Sequence, residues 1–244
     1  MLTTIIQFIQ SMQAGTADSS QLLMLLFVFI GYMVLILVLM PVHEFAHAFV
    51  ADRLGDKTPR WNGRLTLNPL AHIDWLGAAM ILLFGIGYAR PVPISPRNFK
   101  NARKGMALTA LAGPVSNLLM AILSIAIFRV LLLFGGDVVN GSIYVNMDAN
   151  WLVYAHVILI QVFASVNIGL AVFNLLPIPP LDGSRIFSAI LPRKWAFYME
   201  RYEQYIMLGL MLLLFTGVLN APLSWLRHTV GGLFCALFGM SNQF

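Results

Sequence analysis

The chain has 244 residues, of which 59% are hydrophobic and only 10% are charged, well below the roughly 25% charged residues of soluble globular domains. This composition excludes an ordinary soluble fold. The net charge of +5 is not gathered on a basic face with interleaved aromatic residues, so we expect no nucleic-acid partner. The single cysteine, Cys235, excludes an internal disulfide and a cysteine-based zinc cluster, which leaves His, Asp and Glu as possible metal ligands.

Long apolar segments follow one another along the chain, and most of them can cross the hydrocarbon core of a bilayer. The sequence predicts an all-α polytopic membrane protein with five to six transmembrane segments, drawn from residues 21–50, 70–89, 105–134, 151–177, 203–219 and 222–240. We expect the first 20 residues to belong to the mature chain, because they lack the positive start of a signal peptide. Residues 1–244 are predicted as one domain, with a catalytic core at 21–190 and C-terminal helices at 203–240.

Basic residues predict the orientation of these segments. Thirteen of the fifteen fall in three connections, namely Arg53, Lys57, Arg60 and Arg64, then Arg90, Arg97, Lys100, Arg103 and Lys104, then Arg185, Arg193, Lys194 and Arg201. The positive-inside rule places all three connections in the cytoplasm. Segment 70–89 then begins and ends on the same side, so we predict a bent, re-entrant hairpin.

A zinc-ligand motif lies near the end of the first apolar segment. His43, Glu44 and His47 form the pattern HExxH, and positions i and i+4 of a helix share one face. Two imidazoles can therefore bind one ion, while Glu44 is placed to take a proton from water that the ion activates. Ionisable groups in an apolar span cost on the order of 2.5 kcal/mol or more each, which favours a metal site over a chance motif. The expected chemistry is peptide hydrolysis.

A catalytic zinc site needs one more protein ligand from elsewhere in the chain. His156 would lie roughly 39 Å from Asp182 if the 26 intervening positions were helical, and His228 is also predicted towards the outer face. Asp182 follows three prolines that end the fourth segment, and the glycine after it permits a sharp turn. Its carboxylate can therefore converge with His43 and His47 at the cytoplasmic end. The alternative is a solvated aspartate in an ordinary turn.

Two motifs together, HEFAH at 43–47 and NLLPIPPLDG at 174–183, resemble the site-2 protease family of intramembrane zinc metalloproteases. GPVSN at 113–117 is similar to a core-helix pattern of that family, and LNPLAHID and RPVPISPRN are similar to its compact bacterial members. The resemblance covers roughly residues 30–190. Because no connection is long enough for a PDZ or CBS domain, it implies a compact form in a bacterial inner membrane.

The resemblance also implies roles for individual residues. Asp182 would be the third ligand of one zinc ion per chain, and Asn174 would contact the substrate backbone. As residues, Asn174 and Asn117 are amides in apolar helices that can either satisfy a neighbouring helix or donate to a substrate strand. We predict both as substrate-binding. His72 and Asp74 flank the hairpin and can either approach the zinc site or stabilise a bent polar entry.

The membrane location of the chain predicts the class of its substrate. A transmembrane helix hides its amides and carbonyls in its own hydrogen bonds, so a protease within the bilayer must act on an unwound, extended segment. The stretch RWNGRLTLNP at 60–69 alternates apolar and polar residues, so we predict an extended edge there that pairs with the substrate.

The sequence therefore predicts an intramembrane zinc endopeptidase that cuts transmembrane-helix proteins, with its active site towards the cytoplasm. Two other functions are possible. A catalytically silent scaffold would bind transmembrane helices, but the intact Glu44 argues against it. A metal transporter would scatter its ligands across the membrane or repeat its halves, whereas the candidate ligands gather at one face.

Overall fold

The computed structural model describes residues 2–13, 19–84, 87–139, 142–145 and 151–240. The described chain is predominantly helical, as predicted, with one short two-stranded antiparallel sheet. In chain order the elements are α1 (Leu2–Gln13), α2 (Ser19–Val34), a π-helical turn (Leu35–Leu39), α3 (Met40–Arg53), α4 (Thr58–Trp61), α5 (Pro69–His72), α6 (Trp75–Phe84), a 3₁₀ turn (Pro96–Asn98), α7 (Ala102–Gly135), β1 (Gly136–Val139), β2 (Ser142–Val145), α8 (Trp151–Asn174), α9 (Asp182–Ile190), α10 (Arg193–Arg201), α11 (Glu203–Thr216) and α12 (Asn220–Leu237).

Two helical runs of the described chain, Val28–Arg53 and Ala102–Val130, are long and apolar enough to cross a membrane. Helices α11 and α12 pass the same test only together, and they meet at an angle of 85°. Helix α11 ends there because Gly217 adopts a left-handed conformation (φ 74°) that stops an α-helix. The pair is thus one broken span or a re-entrant loop, where the sequence predicts two segments. The total of five to six segments stays a prediction.

The surface of α7 shows which solvent this helix meets. Leu119, Leu123, Ile127 and Val130 lie three or four positions apart and are 61%, 54%, 43% and 50% exposed. A helix that carries large apolar side chains on its exposed face as well as its buried one is suited to lipid rather than water. The apolar character of α7 on both faces therefore agrees with a membrane protein.

The core lies where α7 packs against α8. Its buried members are small or branched side chains that let two helices approach closely, namely Ala121, Ile125, Ala164, Ile168 and Val172. Helix α12 covers this seam with side chains that include Leu226, Val230 and Phe234. The seam holds α7 and α8 in register, and both helices lead to the candidate metal ligands.

In the described residues segment 70–89 forms a hairpin, as predicted, whereas its re-entry into the membrane stays a prediction. After α6 the chain turns back and runs along the same helix, where a side chain at Gly77 would collide with the Tyr88 carbonyl. The Arg90 amide donates to the His72 carbonyl at 2.8 Å, so the two ends of the hairpin lie side by side. Buried Arg64 joins them further by donating to the Ala71 carbonyl and, at 3.3 Å, to the Arg90 carbonyl. Residues 85–86 lie outside the described chain.

Asp56 ties two basic connections together. Its fully buried carboxylate accepts hydrogen bonds from the Ser95 amide at 2.7 Å, the Asn98 amide side chain at 2.7 Å and the Thr58 hydroxyl at 2.5 Å. Burial raises the pKa of this carboxyl, but the hydrogen bonds outweigh burial, so the pKa lies below its ordinary value. Because these partners lie on both sides of the hairpin, Asp56 fixes the hairpin to the end of α3.

The predicted strand edge at 60–69 is wrong. Its first two residues end helix α4, and the rest forms turns and an unpaired stretch that leads into α5. Asn68 accepts a hydrogen bond from the Leu70 amide and caps α5, and Thr66 accepts one from the Asn68 amide. Such local bonds from side chain to backbone compete with a sheet ladder. In the described residues the strands are β1 and β2, at Gly136–Val139 and Ser142–Val145, far along the chain from this stretch.

Candidate metal centre

Helix α3 presents two histidines on its buried face. His43 and His47 lie one turn apart, and their rings meet edge to face with centroids 4.6 Å apart. Their Nε2 atoms lie 3.0 Å from each other, so both nitrogens point at one place. The i and i+4 spacing thus has the effect that the sequence predicts.

Asp182 reaches the same place from a distant part of the chain. Helix α8 ends at Asn174, a proline-rich loop follows, and α9 begins at Asp182. The turn is tight, because a side chain at Gly183 would collide with the carbonyls of Leu175 and Leu176. Only glycine permits so close an approach. The loop thereby folds back on the end of α8 and directs the carboxylate towards α3.

The three candidate ligands converge as predicted. Asp182 Oδ2 lies 3.1 Å from His43 Nε2 and 3.3 Å from His47 Nε2. In a tetrahedral zinc site with bonds of about 2.0–2.2 Å, ligand atoms lie roughly 3.3–3.6 Å apart, a few tenths of an ångström more than the separations found here. Two imidazoles and one carboxylate are also a donor set that zinc accepts. Within the described chain, His43, His47 and Asp182 form the group of ligand-type residues whose donor atoms all lie within 4.8 Å.

The two histidines differ in what holds their other ring nitrogen. His47 Nδ1 lies 2.7 Å from the backbone carbonyl of Thr109 on α7. A proton on Nδ1 donated to that carbonyl leaves the Nε2 lone pair free for a metal. His43 Nδ1 is buried and has no hydrogen-bond partner.

Gly113 sets the distance between α7 and the metal site. A Cβ atom at this position would lie 2.5 Å from His43 Cε1 and 2.5 Å from His47 Nε2. Two heavy atoms that are not bonded to each other cannot approach this closely, so such a Cβ atom would clash with both rings. Helix α7 therefore passes the imidazoles at a distance that a glycine permits and a larger residue does not. The sequence places Gly113 in the GPVSN pattern but does not indicate this contact.

Glu44 lies beside His43 on α3 and is half-buried. Among the described residues it forms no salt bridge, whereas Asp182 contacts both histidines. Its carboxylate is therefore not held in an ion pair, which is suitable for a group that must accept and release a proton.

The two asparagines differ in exposure. Asn174, the last residue of α8, is half-buried, and its Nδ2 donates to the Leu170 carbonyl at 3.0 Å. Its Oδ1 and second N–H stay available beside the loop that carries Asp182. Asn117 is only 1% exposed, and neither of its amide atoms has a hydrogen-bond partner.

The other candidate histidines and acids lie apart from the ligand group. His72 Nε2 is 2.8 Å from the Thr66 carbonyl, and Asp74 accepts from the Gly77 amide at the start of α6. His72 therefore ties the start of the hairpin to the stretch before it, and Asp74 stabilises the start of α6 within the hairpin. The backbone of His156 lies in the first turns of α8, eighteen positions before that helix ends, while its side chain is outside the described part. His228 lies on α12 and does not belong to the group.

Comparison with known proteins assigns the chain to a family. The sequence profile described as Peptidase family M50 matches residues 31–216, most of the chain. The chain belongs to peptidase family M50. This is the site-2 protease family, so the resemblance predicted from HEFAH and NLLPIPPLDG is confirmed. Members of M50 are membrane metalloproteases, in agreement with the apolar helices and the ligand group.

Individual M50 relatives cover most of the chain. A Bacillus subtilis protein named "Putative zinc metalloprotease YwhC" is 35% identical over 213 residues, which are 85% of this chain and 92% of the relative. A protein from Mycobacterium tuberculosis named "Putative zinc metalloprotease Rip2" is 32% identical over 213 residues, 85% of this chain and 73% of the relative. Its namesake from Mycolicibacterium smegmatis is 32% identical over 183 residues, 73% of this chain and 64% of the relative. No solved structure matches the chain.

Proposed function

We propose that this M50 protein is a zinc-dependent endopeptidase that hydrolyses peptide bonds in or near the transmembrane segments of other membrane proteins. The observation that carries the proposal is the convergence of His43, His47 and Asp182 at separations of 3.0–3.3 Å beside Glu44. Three of these four residues, His43, Glu44 and His47, lie on Val28–Arg53, a helical run long and apolar enough to cross a membrane. Chemistry built on that run acts at a depth where substrates are membrane-embedded.

The residues divide the work of hydrolysis between them. His43, His47 and Asp182 would hold one zinc ion per chain. When bound, zinc supplies Lewis-acid activation of water and polarises the scissile carbonyl. Glu44 accepts a proton from the attacking water and returns it to the leaving amine, so its carboxylate starts and ends the cycle ionised. The Thr109 carbonyl holds His47 in the tautomer that ligation requires.

Water needs a route to this site, and a cavity beside Asp182 supports one. A cavity of about 380 Å³ is lined by Pro179 and Ser184, which lie in the chain on either side of Asp182, and by Arg103 and Arg185, although Asp182 itself does not line it. Its position among the basic connections supports entry from the cytoplasmic side, by the positive-inside rule. Among M50 proteins of bacterial type this corresponds to the inner membrane.

The substrate must be extended at the point of cleavage, because a helix offers no free carbonyl to the site. We assign contact with the substrate backbone to Asn174, whose Oδ1 and second N–H are available at the end of α8. For Asn117, the second predicted contact, burial to 1% exposure would require α7 to move before a substrate could touch it.

The proposal is tested with the purified protein in liposomes and two test substrates, each with one span of about 20 apolar residues. One span carries Asn-Gly near its centre and the other is all leucine. We expect cleavage within the first span, mapped by mass spectrometry, at a rate at least about 10-fold higher than in the second, since only the first unwinds readily. A zinc chelator should abolish cleavage and added zinc should restore it.

Other results would contradict the proposal. Cleavage of an unstructured soluble peptide but of neither membrane-embedded span would show a metalloprotease of soluble substrates. Tight binding of a span by the zinc-loaded protein without any cut would favour the scaffold. Chelator-sensitive zinc flux into the liposomes without proteolysis would favour the transporter.

A further inference from the structure

Asn117 occupies an energetically unfavourable position in α7. Its side chain is 1% exposed, and both Oδ1 and Nδ2 lack a hydrogen-bond partner. A buried carboxamide that makes no hydrogen bond lowers stability, and the loss is larger where no water competes. Such a group in an apolar helix points to an interaction that stabilises it.

The neighbouring asparagines avoid this cost in a way that Asn117 does not. Asn167 donates its Nδ2 to the Phe163 carbonyl at 2.8 Å, and Asn174 donates to the Leu170 carbonyl, each four positions earlier in its own helix. The corresponding acceptor for Asn117 is the Gly113 carbonyl. That oxygen already accepts the Ser116 hydroxyl at 2.7 Å. Because the Ser116 hydroxyl occupies this acceptor, the Asn117 carboxamide does not bond to its own helix and can face the neighbouring helix.

The position of Asn117 directs it towards His43. It lies one turn after Gly113, where a Cβ atom would lie 2.5 Å from His43 Cε1, the carbon between the two ring nitrogens, and 2.6 Å from His43 Nε2. Helical side chains lean towards the N-terminus, so the side chain of Asn117 covers the turn that contains Gly113. Gly113 has no side chain of its own to fill that space.

His43 needs an acceptor that the protein backbone does not supply. Its Nε2 faces His47 Nε2 and Asp182 Oδ2, so ligation of a metal requires the ring proton to be on Nδ1. In His47 the equivalent Nδ1–H donates a hydrogen bond to the Thr109 carbonyl at 2.7 Å. His43 Nδ1 is buried without a partner, and so is the carboxamide of Asn117.

We propose that Asn117 is a positioning residue for the metal site: one bound water accepts a hydrogen bond from His43 Nδ1 and donates one to Asn117 Oδ1. The water bridges the two buried groups and satisfies both, as buried waters with several polar partners do. This contact would keep the His43 ring in its ligating tautomer and orientation. The inference rests on the proposed zinc site, and it assigns Asn117 to the metal side of α7 in place of a substrate contact.

The test is the zinc affinity of the purified full chain in detergent, measured by competition with a chromophoric chelator. Asn117→Leu keeps the size of the side chain and removes its acceptor, and we expect zinc to bind about 10- to 100-fold more weakly, as for other losses of a ligand's outer partner. Asn117→Asp retains an acceptor oxygen and should bind zinc at least as tightly as the parent. Asn167→Leu is the matched control, because Asn167 is also fully buried with an unpartnered Oδ1 and should leave zinc affinity unchanged.

Three results would overturn this role. Parent-like zinc affinity in Asn117→Leu would do so, and if that variant also raised KM for a cleaved span, Asn117 would be a substrate contact instead. Equal weakening in Asn117→Leu and Asn167→Leu would show a general effect of losing a buried amide. A parent chain that binds no zinc would contradict the proposed metal site as well. If the parent and both Asn117 variants bind zinc with equal affinity, only the role of Asn117 is contradicted.

Discussion

Glu44→Gln should lower the rate of substrate cleavage by about 10³-fold, within the 10²- to 10⁴-fold range of general acid–base catalysis. The amide has the size of the carboxylate but cannot accept the proton of the attacking water or return it to the leaving amine. Because the ligand group consists of His43, His47 and Asp182, zinc content should stay at the parent level. Cleavage is measured on the span that carries Asn-Gly, and zinc by elemental analysis of the same preparation.

A matched control separates catalysis from structure. Glu200→Gln makes the same chemical change at an exposed carboxylate on α10, which lines the cavity near Asp182 but does not belong to the ligand group, and it should leave the cleavage rate unchanged. Full activity in Glu44→Gln would assign proton transfer to another group. Loss of zinc together with activity would mean that Glu44 supports the metal site instead of acting on water.

Gly113→Ala should weaken zinc binding by more than about 100-fold, beyond the range for loss of a ligand's outer partner, because the new methyl group occupies the place of the imidazoles. Its Cβ would lie 2.5 Å from His43 Cε1 and from His47 Nε2, so either the rings or α7 must shift. Alanine is a better helix former than glycine by about 1 kcal/mol, so helix propensity alone would favour the variant. Zinc affinity, measured by chelator competition, therefore reports the steric effect.

Gly169→Ala is the control for this substitution. Gly169 lies in helix α8, and a Cβ there would meet nothing within 4 Å. Zinc affinity and cleavage should match the parent in that variant. Zinc affinity at the parent level in Gly113→Ala would show that α7 can move away from α3 without cost, and the close approach would then not define the site.

The metal site could be predicted from the sequence because each of its parts depends on a short local motif. HExxH needs only the geometry of one helix to place His43 and His47 together. Asp182 lies within a motif of prolines and glycine that ends one helix and starts another, and the family resemblance joins that motif to the first. The hairpin at 70–89 was equally predictable, since basic residues on both flanks leave few other topologies.

Features that depend on contacts between distant segments could not be predicted in the same way. The role of Gly113 follows only from the passage of α7 beside α3, which no local pattern encodes. At 60–69, alternation indicated an extended edge, but the polar side chains of Thr66 and Asn68 satisfy the backbone locally. The bend of 85° between α11 and α12 arises at Gly217, and a hydropathy pattern cannot distinguish such a bend from two separate spans.

Zinc per chain, measured by elemental analysis of the detergent-purified parent, His43→Ala and Asp182→Ala, tests the joint metal site most directly and needs no known substrate. We expect close to one zinc ion per parent chain and nearly none in either variant, because each substitution removes one of three converging ligands. Thermal unfolding of all three proteins checks that the variants are folded. A parent without zinc after metal-replete purification would contradict the metalloprotease, and zinc retained in Asp182→Ala alone would mean that another residue supplies the third ligand.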